Sequence, residues 1–133
     1  MHLQGLLSIL SDDPHFARLR DHLIAGDALP DQRLLRAARP FAAAALVRDL
    51  KSPTVIVTAT VDRAYNVAEQ LPVWLPETPI LRFGEPGALF YERSGWASHA
   101  LRGRLSTLGA LVTPIGASVH AQQPPVIVTS ALA

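Results

Sequence analysis

Apolar residues at helical spacing define the amino end of the chain. They predict a first helix over residues 3–10, which rests on Leu3, Leu6, Leu7 and Leu10. Asp13 followed by Pro14 then predicts a new helix start, because an acidic N-cap with proline at the first helical position is a common start signal. This second helix is predicted over 14–24, and Gly26 is its expected end.

The middle of the chain changes from helical spacing to a continuous β-branched run. After a connector at 26–30, residues 33–38 are compatible with either a short strand or a helical turn. An alanine-rich stretch predicts a helix over 40–50, since proline is tolerated in its first turn. Residues 54–60, TVIVTAT, predict a strand, and the lack of polar alternation predicts a central strand with both faces covered.

The second half predicts helices over 61–71 and 98–111 and strands over 80–83 and 126–130. Loops are predicted over 84–95 and 113–125. Pro72 and Pro76 are expected to end the first of these helices. The second carries a row of leucines on one face, namely Leu101, Leu105, Leu108 and Leu111. Strands that alternate with helices predict an α/β fold with a parallel sheet, right-handed crossovers and flanking helices.

Composition narrows the classes of function. The chain has 133 residues and no cysteine, which excludes disulfides, thiolate zinc sites and a cysteine nucleophile. Its net charge of +1 argues against a domain held to nucleic acid by bulk electrostatics. Only 17% of its residues are charged, which is below the roughly 25% of typical soluble domains. We therefore expect part of the surface to be covered by other protein.

The two ends of the chain bear on the location of the protein and on whether the chain is part of a longer protein. The start lacks a basic region, and acidic residues break the first apolar stretch, so the cytoplasm is the expected location. The last strand ends at Ser130, a suitable N-cap for a further helix that residues 131–133 would begin. We therefore expect this chain to be the first piece of a longer protein.

The layout up to Thr60 is that of a RecA-like or P-loop domain with a degenerate phosphate loop. A functional loop needs glycines to wrap phosphates, a lysine to reach them and a hydroxyl to hold magnesium. The corresponding stretch has no glycine, no lysine and no hydroxyl group, and its proline has no backbone N–H to donate to a phosphate. It consists of Leu35, Arg36, Ala37, Ala38, Arg39, Pro40 and Phe41. No nucleotide cofactor is expected. Arg36 and Arg39 are expected as solvated arginines, with attraction of an anion as the lesser alternative.

No catalytic or metal-binding pattern is evident. The five histidines are scattered, at His2, His15, His22, His99 and His120. Ser94 and Ser130 lack the Gly-x-Ser-x-Gly context of a nucleophile elbow. Residues 84–95 form a long glycine-rich, aromatic segment, which is compatible with a functional loop or with an ordinary surface loop. We predict no metal, no cofactor and no catalysis by this chain.

Three spaced passages, together with a short intervening helix, resemble the bacterial transcription-repair coupling factor family. Residues 45–60 are similar to the family's helix, turn and strand, and 125–132 to a later strand and turn. Residues 104–108 fit an intervening helix. The family-motif loop is matched by Phe90, Tyr91, Glu92 and Arg93. The resemblance covers 30–133, and residues 3–29 correspond to the family's N-terminal helices.

The resemblance implies a domain division and a function. It implies an N-terminal helical segment over 1–29 and, over 30–133, an incomplete RecA-like domain similar to domain 1A of the B-type excinuclease subunit. Such a domain is a non-catalytic scaffold in nucleotide excision repair, part of an ATP-dependent DNA translocase. Its partners are the parent protein's other domains, the A-type excinuclease subunit through an adjacent domain outside this chain, and RNA polymerase and DNA through the parent protein.

Two other functions remain open at this point. One is a helicase-type ATPase related to the B-type excinuclease subunit, although no glycine lies between Gly26 and Gly84, where its phosphate loop would have to be. The other is a free-standing binding module that pairs through an exposed sheet edge.

Overall fold

Three parallel strands and their flanking helices form an α/β fold in this computed structural model. The structure describes residues 3–28, 33–85, 98–112 and 123–131. Its helices are α1 to α5, with bounds Leu7–Ser11, Pro14–Ala25, Arg39–Leu50, Val61–Trp74 and Ser98–Val112. Its strands are β1 to β3, with bounds Thr54–Thr58, Ile80–Phe83 and Val126–Ser130. Short 3-10 turns precede α1 and α3, at Gln4–Leu6 and Arg36–Ala38.

The predicted start and end signals of the second helix are confirmed, whereas the first predicted helix, over 3–10, is a 3-10 turn at Gln4–Leu6 followed by α1. The Asp13 carboxylate accepts hydrogen bonds from the amides of His15 and Phe16 at 2.9 and 3.0 Å, which satisfies donors that the first turn of α2 leaves free. Gly26 ends α2 with φ 75°, a left-handed conformation that glycine adopts without steric penalty. Local capping chemistry therefore sets the limits of α2.

Polar and apolar contacts join these helices to the rest of the fold. The Ser11 hydroxyl donates to the Asp49 carboxylate at 2.8 Å, and Arg48 donates to the Leu7 carbonyl at 3.2 Å. Leu7 and Phe16 are buried in the same apolar cluster as the alanines of α3 and the valines of β3. The helices within 1–29 and the sheet therefore share one core.

Helix α4 continues past its predicted end. The proline at 72 lies in its last turn, and the helix runs on to Trp74, so the expected end at residue 71 is wrong. Proline 72 forfeits only its own amide bond, whereas the Leu75 amide still donates to the Leu71 carbonyl at 2.9 Å. The Trp74 ring also packs against Phe41, with ring centroids 4.9 Å apart. Tertiary packing thus compensates for the missing bond.

The sheet order corrects the predicted position of the first strand. The order is β1-β3-β2, so β3 is the central strand and β1 lies at an edge. Val55 and Val57 of β1 are 56% and 63% exposed, whereas the three apolar residues of β3 are almost fully buried. Both strands are continuous β-branched runs, and this pattern indicates a strand without indicating its place in the sheet. The expectation that β1 is covered on both faces is therefore wrong.

Helix α5 packs through small residues, and its leucines face outward. The Thr107 side chain is 2% exposed, and its hydroxyl donates to the Gly103 carbonyl one turn earlier, at 3.0 Å. The guanidinium of Arg104 stacks on the Phe83 ring at 3.9 Å and donates to the Gly84 carbonyl at 2.8 Å. The two Arg104 contacts join α5 to the end of β2. The row of leucines lies on the exposed side of α5: Leu101, Leu105, Leu108 and Leu111.

Within the described ranges, no helix combines the length and apolar character needed to cross a membrane.

Candidate functional site

A cleft of about 690 Å³ opens between the amino end of α3, the carboxyl end of β1 and one side of α4. Its lining contains three arginines, several uncharged polar residues and a partly apolar floor. The lining residues are Arg36, Arg39, Pro40, Ala43, Ile56, Val57, Thr58, Ala59, Arg63, Asn66, Val67 and Gln70. The volume lies within the range of about 300–1,000 Å³ that small-molecule sites occupy.

Local structure explains how α3 contributes to the cleft. The Ala38 amide donates to the Leu35 carbonyl at 3.0 Å, which closes the 3-10 turn that leads into the helix. Pro40 is buried in the first turn, where its missing amide would be unpaired in any case. Arg36 and Arg39 are thereby held at the amino end of α3, on the cleft wall.

The opposite wall comes from a polar row on α4. Arg63, Asn66 and Gln70 are three and four residues apart, so they share one side of the helix. The buried residues Ala64 and Leu71 occupy the other side and pack in the core. Amphipathic packing of α4 therefore turns its polar row toward α3 and β1.

Positive charge dominates the cleft. The described lining includes three arginines and no acidic residue. Among the described residues, the ion pairs involve Arg20, His22 and Arg48, and none of them involves an arginine of the cleft. Arg39 donates through Nε to the Leu34 carbonyl at 3.4 Å, a contact that leaves its charge unneutralised.

The segment predicted as a degenerate phosphate loop lies at this cleft. Three of its residues, Arg36, Arg39 and Pro40, line the cleft, and the Phe41 ring packs against Trp74 in the core. The α4 residues of the cleft are absent from the sequence-based prediction. The sequence does contain the polar row on the predicted helix 61–71. Only the tertiary fold brings this row close to Arg36.

A second cluster lies at the carboxyl ends of β2 and β3. The buried Ser130 hydroxyl donates to the Glu85 carboxylate, and the Thr129 hydroxyl donates to the Phe83 carbonyl at 2.9 Å. The Arg82 guanidinium lies 3.4 Å from the centre of the Tyr65 ring. The two hydroxyl contacts join the end of β3 to the end of β2 and to the residues that follow β2.

The remaining candidate residues are dispersed or undescribed. His15 is exposed, and Nδ1 of His22 lies 2.9 Å from the Asp27 carboxylate. Within the described ranges, no three histidine, aspartate or glutamate side chains are close enough to hold a metal ion. The rest lie outside the structural description: His2, His120, Ser94, the side chain of His99, and the motif residues Phe90, Tyr91, Glu92 and Arg93.

Comparisons with protein-family models, curated proteins and solved structures find no match to this chain. The case for a function therefore depends on the residues, the fold and the cleft.

Proposed function

We propose that this chain is a RecA-like domain of the transcription-repair coupling factor type, a non-catalytic scaffold that supports recruitment of the A-type excinuclease subunit. It acts in transcription-coupled nucleotide excision repair in the cytoplasm. The observation that carries the proposal is the cleft at the amino end of α3. One wall of the cleft includes the segment 35–41, which we take as the counterpart of a phosphate loop and which lacks glycine, lysine and hydroxyl groups.

The lost loop argues for a scaffold and against an ATPase. In a P-loop NTPase, lysine and magnesium neutralise the charge that develops on the transferred phosphoryl group. Here Pro40 and alanines replace the residues that would hold these groups, and the described lining has no carboxylate to hold magnesium. A RecA-like fold that keeps its layout without this chemistry is suited to holding other domains.

Exposed apolar surface supports a docking role. The leucines of α5 are 42–59% exposed, and the valines of β1 are exposed at the sheet edge. Large apolar side chains grouped in this way are typical of surfaces that other protein covers. We assign this surface to neighbouring domains of a parent polypeptide. The A-type excinuclease subunit would bind an adjacent domain, and the parent protein would bind RNA polymerase and DNA.

Point variants in the organism that encodes the chain test the docking role. Replacing two exposed leucines, L105E with L108E, should leave the fold intact and should abolish the faster removal of ultraviolet lesions from the transcribed strand. The matched control is I9E, since Ile9 is also exposed but lies on α1. A folded double variant with full preference for the transcribed strand would contradict the docking role.

A further inference from the structure

The three arginines of the cleft form a group of positive charges without acidic partners. Elsewhere in the described chain, Arg20 and Arg48 lie 3.7 and 3.0 Å from carboxylate oxygens of Asp49. Arg36, Arg39 and Arg63 have no such partner among the described residues, and they converge on one cavity from two helices. Like charges repel, so this arrangement favours a ligand that brings negative charge.

We infer that the cleft binds a compact diphosphate or a phosphate ester without magnesium. Guanidinium groups bind phosphate oxygens through two parallel hydrogen bonds, and arginine is the usual residue for this contact. Two phosphoryl groups offer enough oxygens for three guanidiniums, and Asn66 and Gln70 add amide donors on the α4 wall. The exposed arginines lose little hydration on binding, so the affinity is modest.

The absence of acidic groups from the described lining makes this site different from a nucleotide site of an ATPase. Such a site binds magnesium together with the phosphates, partly through a carboxylate. In this cleft the protein offers no carboxylate ligand to magnesium, and magnesium bound to the diphosphate would neutralise part of its charge. Added magnesium should therefore lower the affinity of the cleft for the diphosphate. The inference needs only the charges and the cavity, and it stands apart from the proposed role in repair.

Calorimetric titration with inorganic pyrophosphate tests the inference directly. At low salt, with a chelator present, the chain should bind one equivalent with a dissociation constant of about 0.1–1 mM. Magnesium in excess over pyrophosphate should weaken binding, and so should added salt, which screens exposed charges. No heat of binding at low salt would overturn the inference.

Two triple variants separate the cleft from the overall charge of the protein. The cleft variant R36Q/R39Q/R63Q and the control R18Q/K51Q/R102Q each remove three positive charges. The cleft variant should bind pyrophosphate at least ~10-fold more weakly, whereas the control should stay within about twofold of the unmodified chain. Equal losses in both would show a general charge effect and would overturn the inference.

The outcome is distinguishable from failure of the proposed function. Micromolar binding of ATP that requires magnesium would contradict the scaffold proposal and leave the pyrophosphate result unaffected. Failure to bind pyrophosphate would remove the anion site and leave the role in repair unaffected. Circular dichroism should show that both triple variants fold, since all six replaced side chains are exposed.

Discussion

Two valines in adjacent strands provide a matched test of how the two faces of the sheet are covered. Val128 lies in β3 and is 0% exposed, whereas Val57 lies in β1 and is 63% exposed. Replacing each with alanine removes the same two methyl groups from the same residue type in the same kind of strand. Any difference in the free energy of unfolding therefore reports burial.

The structure sets the size of that difference. Losing two buried methyl groups costs about 1.6 kcal/mol of transfer free energy, and the cavity at Val128 raises the total to about 2–3 kcal/mol. At Val57 only about a third of the side chain is out of water, so V57A should cost about 0.5 kcal/mol. The loss of β-propensity is similar in the two variants and largely cancels in their difference.

Urea unfolding followed by tryptophan fluorescence measures both values. V128A should lower the midpoint several times more than V57A, with similar slopes for the two variants. Equal costs would refute the exposure of the Val57 face of β1, because they would require Val57 to be as well covered as Val128. Variants with unchanged far-ultraviolet circular dichroism make the comparison valid.

Three further predictions concern a cap, a polar network and α5. D13A should cost about 1 kcal/mol, because two amides lose their acceptor, whereas D12A should be nearly neutral in the same urea assay. D49A should cost about 1–2 kcal/mol, because Ser11 and two arginines lose their partner; a neutral D49A would contradict the network. L105E should change the free energy of unfolding by less than about 0.5 kcal/mol, whereas T107E should prevent folding as judged by circular dichroism. A folded T107E together with an unfolded L105E would contradict the packing of α5.

The features that the sequence predicted best depend on local chemistry. The cap at Asp13 and the end at Gly26 follow from residues a few positions apart, and the structure places both as predicted. The three strands and the parallel sheet follow from β-branched runs that alternate with helices. The place of β1 in the sheet cannot be predicted from these runs, because the order of the strands depends on how the helices cross over between them.

The cleft shows the same limit at the level of a site. Its α3 wall includes Arg36, Arg39 and Pro40, which lie within the segment that the layout of the chain predicted as a degenerate phosphate loop. Its α4 wall includes Arg63, which is distant in sequence and joins the other two only through the packing of α3 against α4. The outward leucines of α5 are a further case, because buried Thr107 and exposed Leu105 reverse the usual preference.

We propose that this chain acts in transcription-coupled repair without catalysing a reaction. Strand-resolved removal of ultraviolet lesions from an expressed gene tests this role when the gene that encodes residues 1–133 is inactivated. We expect the transcribed strand then to be repaired at the slower rate of the other strand. Retention of the faster repair of the transcribed strand after inactivation would contradict the proposed role.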